Sequence, residues 1–348
     1  MIKRDMIVQD DLAVGQRPAV MTLLGDPRRP DSVKRDGRFN AEDIDTVARL
    51  QSALATLESY SFYYVDDHDA LIRRLEYERP HLVFNLCDEG FHNRPDMELH
   101  IPALLEMRGM AYTGAPPSCL AMCYDKSLVR GLAQVLNIPV PNEIRLLPDQ
   151  PVPASLAYPL FVKPARGDGS FAIGDWSVAA DRPALLAAIA RLRGRHAVRD
   201  ILVQEFLEGR EYTVGIIGNV GSGLTVLPII EVDYSAFPSG PHIQSYDSKW
   251  DASASAFADI RFRKAEIGEA EARNMEKASV ALFGALGCRD YARFDFRAGT
   301  DGVIRLLEAN PNSSWCWDGK MAVMADIAGM GYPGMLQAIL DCAWKRTR

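Results

Sequence analysis

Residues 17–114 alternate short apolar runs with amphipathic stretches, and this alternation constrains the fold more than any other feature of the chain. RPAVMTLLG (17–25), YSFYYVD (60–66) and HLVFNL (81–86) read as strands, rich in β-branched and aromatic residues. AEDIDTVARLQSALATL (41–57), the stretch near 68–78 and MELHIPALLEMRG (97–109) read as helices, and AYTG (111–114) as a short further strand. Strands separated by helices return parallel to one another, so a parallel sheet covered by helices is predicted. A helix-forming segment then runs from Ser118 to Leu136, and the proline-rich NIPVPNEIRLLPDQPVPAS that follows reads as irregular and as a domain boundary.

Beyond it the pattern changes. Residues 158–234 give strand, Gly-rich turn, strand, helix and strands, an α+β pattern without parallel crossovers. The polar segment 235–256 has few periodic apolar residues, the kind of long loop that is either functional or disordered. A helix at about 265–286, the strands ARFDFR and GVIRLLEAN, and a terminal helix after Gly331 complete the chain, with no internal repeat.

Composition excludes several classes. At 348 residues, 48% hydrophobic and 24% charged, the chain has the make-up of a soluble globular protein of two or three packed units, with no apolar run long enough to span a membrane. The start MIKRDMIVQDD carries acids and bases where a secretory leader needs a continuous apolar stretch, which argues for the cytoplasm. Cysteines at 87, 119, 123, 288, 316 and 342 form no CxxC pair and read as reduced thiols. A net charge of -7 without a basic stripe gives no footprint for nucleic acid. The histidines make no i, i+4 pair or HExxH, and no GxSxG, P-loop or GxGxxG is present.

The chemistry concentrates late in the chain. In YARFDFRAGTDGVIRLLEANPN, Arg293 and Asp295 alternate with apolar residues, and a Gly-containing turn leads into a strand ending at Glu308 and Asn310. Side chains share a face every second residue, so Glu308 and Asn310 lie together and a hairpin brings Asp295 alongside. Either a cation lies between these oxygens, Mg²⁺ by their hardness, or the acids face solvent and pair with Arg293 and Arg305. In YPLFVKPARGDGSFAIGDWSV, Lys163 ends an apolar strand before a loop containing Gly167, Gly169 and Ser170, either an anion cradle or a plain turn. ILVQEFLEGREYTVGII carries Glu205 and Glu211 about a Gly209 kink, either functional or solvated.

Together, AYTGA, YDKSLVRGLAQVLNIPVP, FVKPARGDGS, LVQEFLEGREYTV, SKW, ARFDF and LLEANPN resemble, in order and spacing over roughly residues 80–340, the ATP-grasp superfamily and within it the D-alanine–D-alanine ligase-like enzymes. The resemblance implies an α/β and α+β fold of three subdomains, with ATP held between a central lid and a C-terminal domain. It divides the chain into an N-terminal arm (1–16), an N-terminal α/β domain (17–117), a helix and linker (118–150), a lid (151–214) and a C-terminal subdomain (215–348).

Carried over by position, Lys126 and Lys163 are implied as phosphate lysines, Gly169 and Ser170 as the loop over the phosphates, and Ser170 also as a catalytic contact. Gln204, Glu205, Phe206 and Leu207 match the adenine hinge and Glu211 the ribose carboxylate. Lys249 matches a mobile-loop lysine near the γ-phosphate, Arg293 the arginine beside a developing oxyanion, and Asp295, Glu308 and Asn310 the Mg²⁺ ligands, with Mn²⁺ as a substitute. The implied reaction is ATP-dependent joining of amino-acid-like carboxylate and amine substrates through an acylphosphate. The alternatives are a carboxylate or hydroxyl kinase and a non-catalytic nucleotide-binding protein. The ligases resembled are commonly dimers, which implies a homodimer.

Departures from the pattern fall at the substrate pocket. LLGDPRRPDSVKRDGRFNAED replaces a Gly-rich loop bearing a glutamate, and PNSSWCWDGK, with Ser314, Trp315 and Trp317, replaces a turn of small residues. The tryptophans either wall a larger substrate or fill the core. In FNLCDEGFHNRPDMELHIPALLE, Glu89 can meet a substrate amine and Arg94 a carboxylate, or each pairs locally. Strict D-alanine specificity is not expected.

Overall fold

The structure, a computed structural model, describes residues 15–31, 34–167, 169–236, 241–244 and 260–348. Lys249 and most of the polar segment lie outside the described residues.

The first sheet contains β1 (Ala19–Leu23), β2 (Ser61–Val65) and β3 (Leu82–Asn85) in the order β2-β1-β3, all parallel, as the alternation predicts. The crossovers are α1 (Ala41–Ala55) and α2 (His68–Tyr77), followed by α3 (His100–Met107). Asn40 and Asp43 form a reciprocal cap on α1, and the Asp67 carboxylate caps α2. The expected strand at 111–114 reduces to one bridge, Val83 to Tyr112. Gly114 turns away there with φ 86°, its N–H donating to Asp290 at 2.8 Å.

The expected helix 118–136 is two, α4 (Pro117–Tyr124) and α5 (Lys126–Val135), broken at Asp125. That residue is extended, and its carboxylate takes the Ser127 N–H at 3.1 Å and guanidinium donors from Arg145 and Arg166. The break ties the start of α5 to the next unit, where the Lys126 N–H donates to the Ala165 carbonyl at 3.1 Å.

The central sheet is wholly antiparallel: β4 (Glu143–Leu146), β7 (Ile201–Glu205), β5 (Leu160–Pro164) and β6 (Val178–Ala179), in that order, backed by α6 (Arg182–Arg195). β4 falls inside the stretch expected to be irregular. Proline lacks the N–H a ladder needs, but between Pro141 and Pro148 the chain has free donors, and these pair with β7. This sheet and α6 have a core of their own, including Leu160, Val162, Leu185, Leu192 and Val203.

The largest sheet runs β11 (Arg261–Lys264), β10 (Ile230–Asp233), β8 (Glu211–Asn219), β12 (Asp290–Ala298), β13 (Ile304–Asn310), with β9 (Gly223–Val226) paired to β8. Around it pack α7 (Glu269–Leu286), α8 (Lys320–Ile327) and α9 (Gly331–Arg346). The sequence reading did not anticipate α8: it buries Lys320, Met321, Ala322, Met324 and Ala325 and so lacks the polar face that makes a helix visible. One core joins Val20, Leu82 and Phe84 of the first sheet to Leu336, Ile339 and Leu340 of α9 and Ile217 of β8. Among the described residues no helix is long and apolar enough to cross a membrane.

Candidate active site

Alternation along β12 builds the floor of a cavity. Phe294 and Phe296 enter the core, so Arg293, Asp295 and Arg297 face the other way. Asp295 pairs with Glu308 across β12–β13 and with Thr213 across β12–β8. The register slips between Asp295 and Phe296, leaving Leu307 as the extra residue of a bulge that turns both Leu307 and Glu308 to the cavity. The cavity, of about 270 Å³, lies between this floor, the central sheet and the start of α8.

Asp295 is buried and held on every side: Thr213 Oγ1 donates at 2.7 Å, Arg293 Nη2 at 3.0 Å and Asn310 Nδ2 at 3.1 Å, with Lys320 Nζ at 3.5 Å. Burial alone would raise its pKa, but the Arg293 and Lys320 charges and the Thr213 hydroxyl outweigh that and hold it well below the usual carboxylate range. It is an anion at every physiological pH. Lys163 enters from β5, and burial, followed by repulsion from Lys126, pushes its ammonium down to about 8 against the pull of Glu308 and Glu143.

Most residues singled out in the sequence converge. Lys126, Lys163, Gly169, Ser170, Gln204, Glu205, Phe206, Leu207, Glu211, Arg293, Asp295, Glu308 and Ser314 line the one cavity. Asn310 lines an adjoining pocket of about 30 Å³ shared with Lys126 and Glu308. The Lys126 ammonium donates to the Gly167 carbonyl at the loop, where Gly169 and Ser170 have φ 64° and 62°. Gln204 donates to Glu143 at 2.9 Å, and the Glu205 carboxylate accepts from Asn142 at 3.1 Å, so these side chains fasten β4 to the end of β7. Phe206 lies 5.3 Å from the Arg297 guanidinium. Glu211 is buried, accepting from Tyr234 at 2.8 Å and from Gln244, with Arg297 and Lys320 each 3.6 Å away.

Three candidates line neither this cavity nor its neighbour. Glu89 sits against Gly25 and pairs at 3.1 Å with Lys34, which also holds Asp43 at 2.9 Å. Arg94 is exposed and pairs with Asp96 at 2.7 Å. Trp315 fills the core, its Nε1 donating to the Leu86 carbonyl at 2.7 Å, while Trp317 lies under Arg49 at 4.2 Å. Conversely, sequence reasoning missed Thr213, Arg297 and Lys320. Alternation through Glu211 and Asp295 was signal enough for the first two, but an isolated lysine in DGKMAVMA carried none.

Residues 142–341 match the family model described as the D-ala D-ala ligase C-terminus. The chain is 31% identical over 268 residues to a protein of Sinorhizobium fredii designated y4sG and described as uncharacterized, covering 76% of this chain and 75% of that one. It is 30% identical over 263 residues to the D-alanine–D-alanine ligase of Ralstonia nicotianae, covering 72% and 74%. The crystal structure of the D-alanine–D-alanine ligase from Bacillus anthracis complexed with ATP superimposes with a TM-score of 0.71 at 19% identity, over 95% of this chain and 98% of that one. By family match, relatives and architecture, this chain belongs to the D-alanine–D-alanine ligase family and has its ATP-grasp fold.

Proposed function

We propose that the protein is an ATP-dependent, ADP-forming ligase that activates a carboxylate as an acylphosphate and joins it to the amine of an amino-acid-like partner. The observation that carries this reading is one cavity into which the central sheet, the first residue of β8 and the β12–β13 hairpin all project charged side chains. In this reading Lys126 and Lys163 hold phosphate oxygens and the Gly169–Ser170 turn covers them. The backbone at Glu205–Leu207 faces adenine, beside Gln204, and Glu211 receives the ribose hydroxyls. Lys249, which the resemblance implies as a lysine for the γ-phosphate, lies outside the described residues.

The donor set fits Mg²⁺. Asp295 is a committed anion opposite Glu308, and the Asn310 amide nitrogen is turned to Asp295, which leaves its oxygen as the acceptor for a cation. Hard oxygen donors suit Mg²⁺, and Mn²⁺ can replace it. Among the described residues no three His, Cys, Asp or Glu side chains gather into a metal site; two carboxylates and an amide leave room for water and phosphate oxygens. When bound, the ion neutralises phosphate charge.

Phosphoryl transfer needs positioning and charge neutralisation rather than a protein nucleophile. A substrate carboxylate oxygen attacks the γ-phosphorus and ADP departs. A neutral amine then attacks the acyl carbon and phosphate departs, with Arg293 beside the oxyanion that develops. An altered pocket for the first substrate is part of this reading, and it is supported by Glu89, whose carboxylate already has the Lys34 ammonium beside it.

The test is phosphate release and product mass with ATP, Mg²⁺ and pools of L- and D-amino acids, with Glu308→Gln as control. The expected result is ADP and phosphate in step with a condensed product, and a loss on the order of 10² to 10³ in the variant. Background turnover in every pool, despite tight Mg²⁺-ATP binding, would contradict the ligase reading.

A further inference from the structure

We infer that Lys320 is a third nucleotide-phosphate ligand, supplied by the floor of the cavity. This rests on the nucleotide reading above, which assigns it no role.

Lys320 is the first residue of α8, follows Gly319 and lines the cavity although its residue is only 7% exposed. A buried ammonium is costly unless well paired, and this one has its two carboxylates only at long range. Its Nζ stands 3.5 Å from Asp295 and 3.6 Å from Glu211, with the Phe262 ring centroid at 5.7 Å. Both carboxylates have nearer donors, Thr213 at 2.7 Å for Asp295 and Tyr234 at 2.8 Å for Glu211. Lys320 therefore spans two acids that each have a closer donor, and its donors are available to a stronger acceptor.

Its place identifies that acceptor. Glu211 marks the ribose end of the proposed nucleotide and Asp295 the metal end, and the phosphate chain is what lies between a ribose and its metal. Lys126 and Lys163 reach the same cavity from α5 and β5; Lys320 reaches it from α8. Phosphates clamped between cations of both walls are neutralised more evenly than by one wall alone. Until nucleotide arrives, Lys320 offsets the two carboxylates that would otherwise repel each other.

The test is equilibrium binding of ATP, ADP and adenosine to the full chain by calorimetry, with Lys163→Met as a reference. Lys320→Met is expected to weaken ATP about 10- to 100-fold, the worth of a charge-assisted hydrogen bond, and to leave adenosine unchanged. Lys320→Arg is expected to recover most of the ATP affinity. Lys320→Gln keeps a donor without the charge and carries the test should the methionine variant not fold.

Unchanged ATP affinity in Lys320→Met, alongside a loss in Lys163→Met, overturns the inference and leaves the nucleotide reading intact. Equal losses for ATP and adenosine overturn it in favour of a structural role. Normal ATP binding with a raised KM for a carboxylate substrate overturns it in favour of substrate recognition. Absence of ATP binding by the unaltered protein removes the nucleotide reading and this inference together.

Discussion

At Lys163 the cavity changes an ordinary side chain into a titrating one. Burial lowers its pKa to about 8, so it is charged below that pH and neutral above it. If its charge holds phosphate, ATP affinity falls as pH rises through about 8, whereas Lys163→Arg, charged throughout, flattens that profile. Calorimetry at a series of pH values checks this, and an unaltered protein with a flat profile would remove Lys163 from phosphate binding. Period-two alternation placed Asp295 beside Glu308 because a pleat leaves side chains no choice of face. It missed Lys320, whose direction depends on a helix that shows no pattern of its own, and left Glu89 and Arg94 open between a substrate and a local partner, where the structure pairs them with Lys34 and Asp96.

Among elements, the β7–β8 turn carries the proposed adenine hinge, and Gly209 fixes it on β12. The Gly209 N–H donates to the Ala298 carbonyl at 2.9 Å, and a Cβ at Gly209 would lie 2.7 Å from that oxygen. Gly209→Ala is expected to destabilise the fold by about 1–3 kcal/mol and to weaken ATP binding, since backbone must shift. Thermal denaturation and calorimetry read the two effects, and an unperturbed variant would show the turn to be slack. Elements with a clean period, β1, α1, β2, β12 and β13, were legible. Those set by tertiary context were not: β4 is a strand because β7 is there to pair it, and the helix expected to be continuous breaks because Asp125 finds Arg145 and Arg166.

Over the whole molecule, the distribution of cores decides what unfolds with what. The first sheet shares its interior with α9 and β8, whereas the central sheet has a core of its own. Leu340→Ala is expected to cost about 2–5 kcal/mol and to lower hydrogen-exchange protection in both β1 and β8. Val162→Ala is expected to lower protection in the central sheet and leave β1 unchanged. Equal loss everywhere from Val162→Ala would contradict separate cores.

In the proposed reaction the cavity activates a carboxylate by phosphorylating it. The most direct test incubates the protein with ATP, Mg²⁺ and amino-acid substrates labelled with ¹⁸O in the carboxyl group, and measures the label in the released phosphate. An acylphosphate route transfers one ¹⁸O from each consumed carboxylate to phosphate, and that transfer is expected in step with condensed product. Unlabelled phosphate released alongside ADP would contradict it.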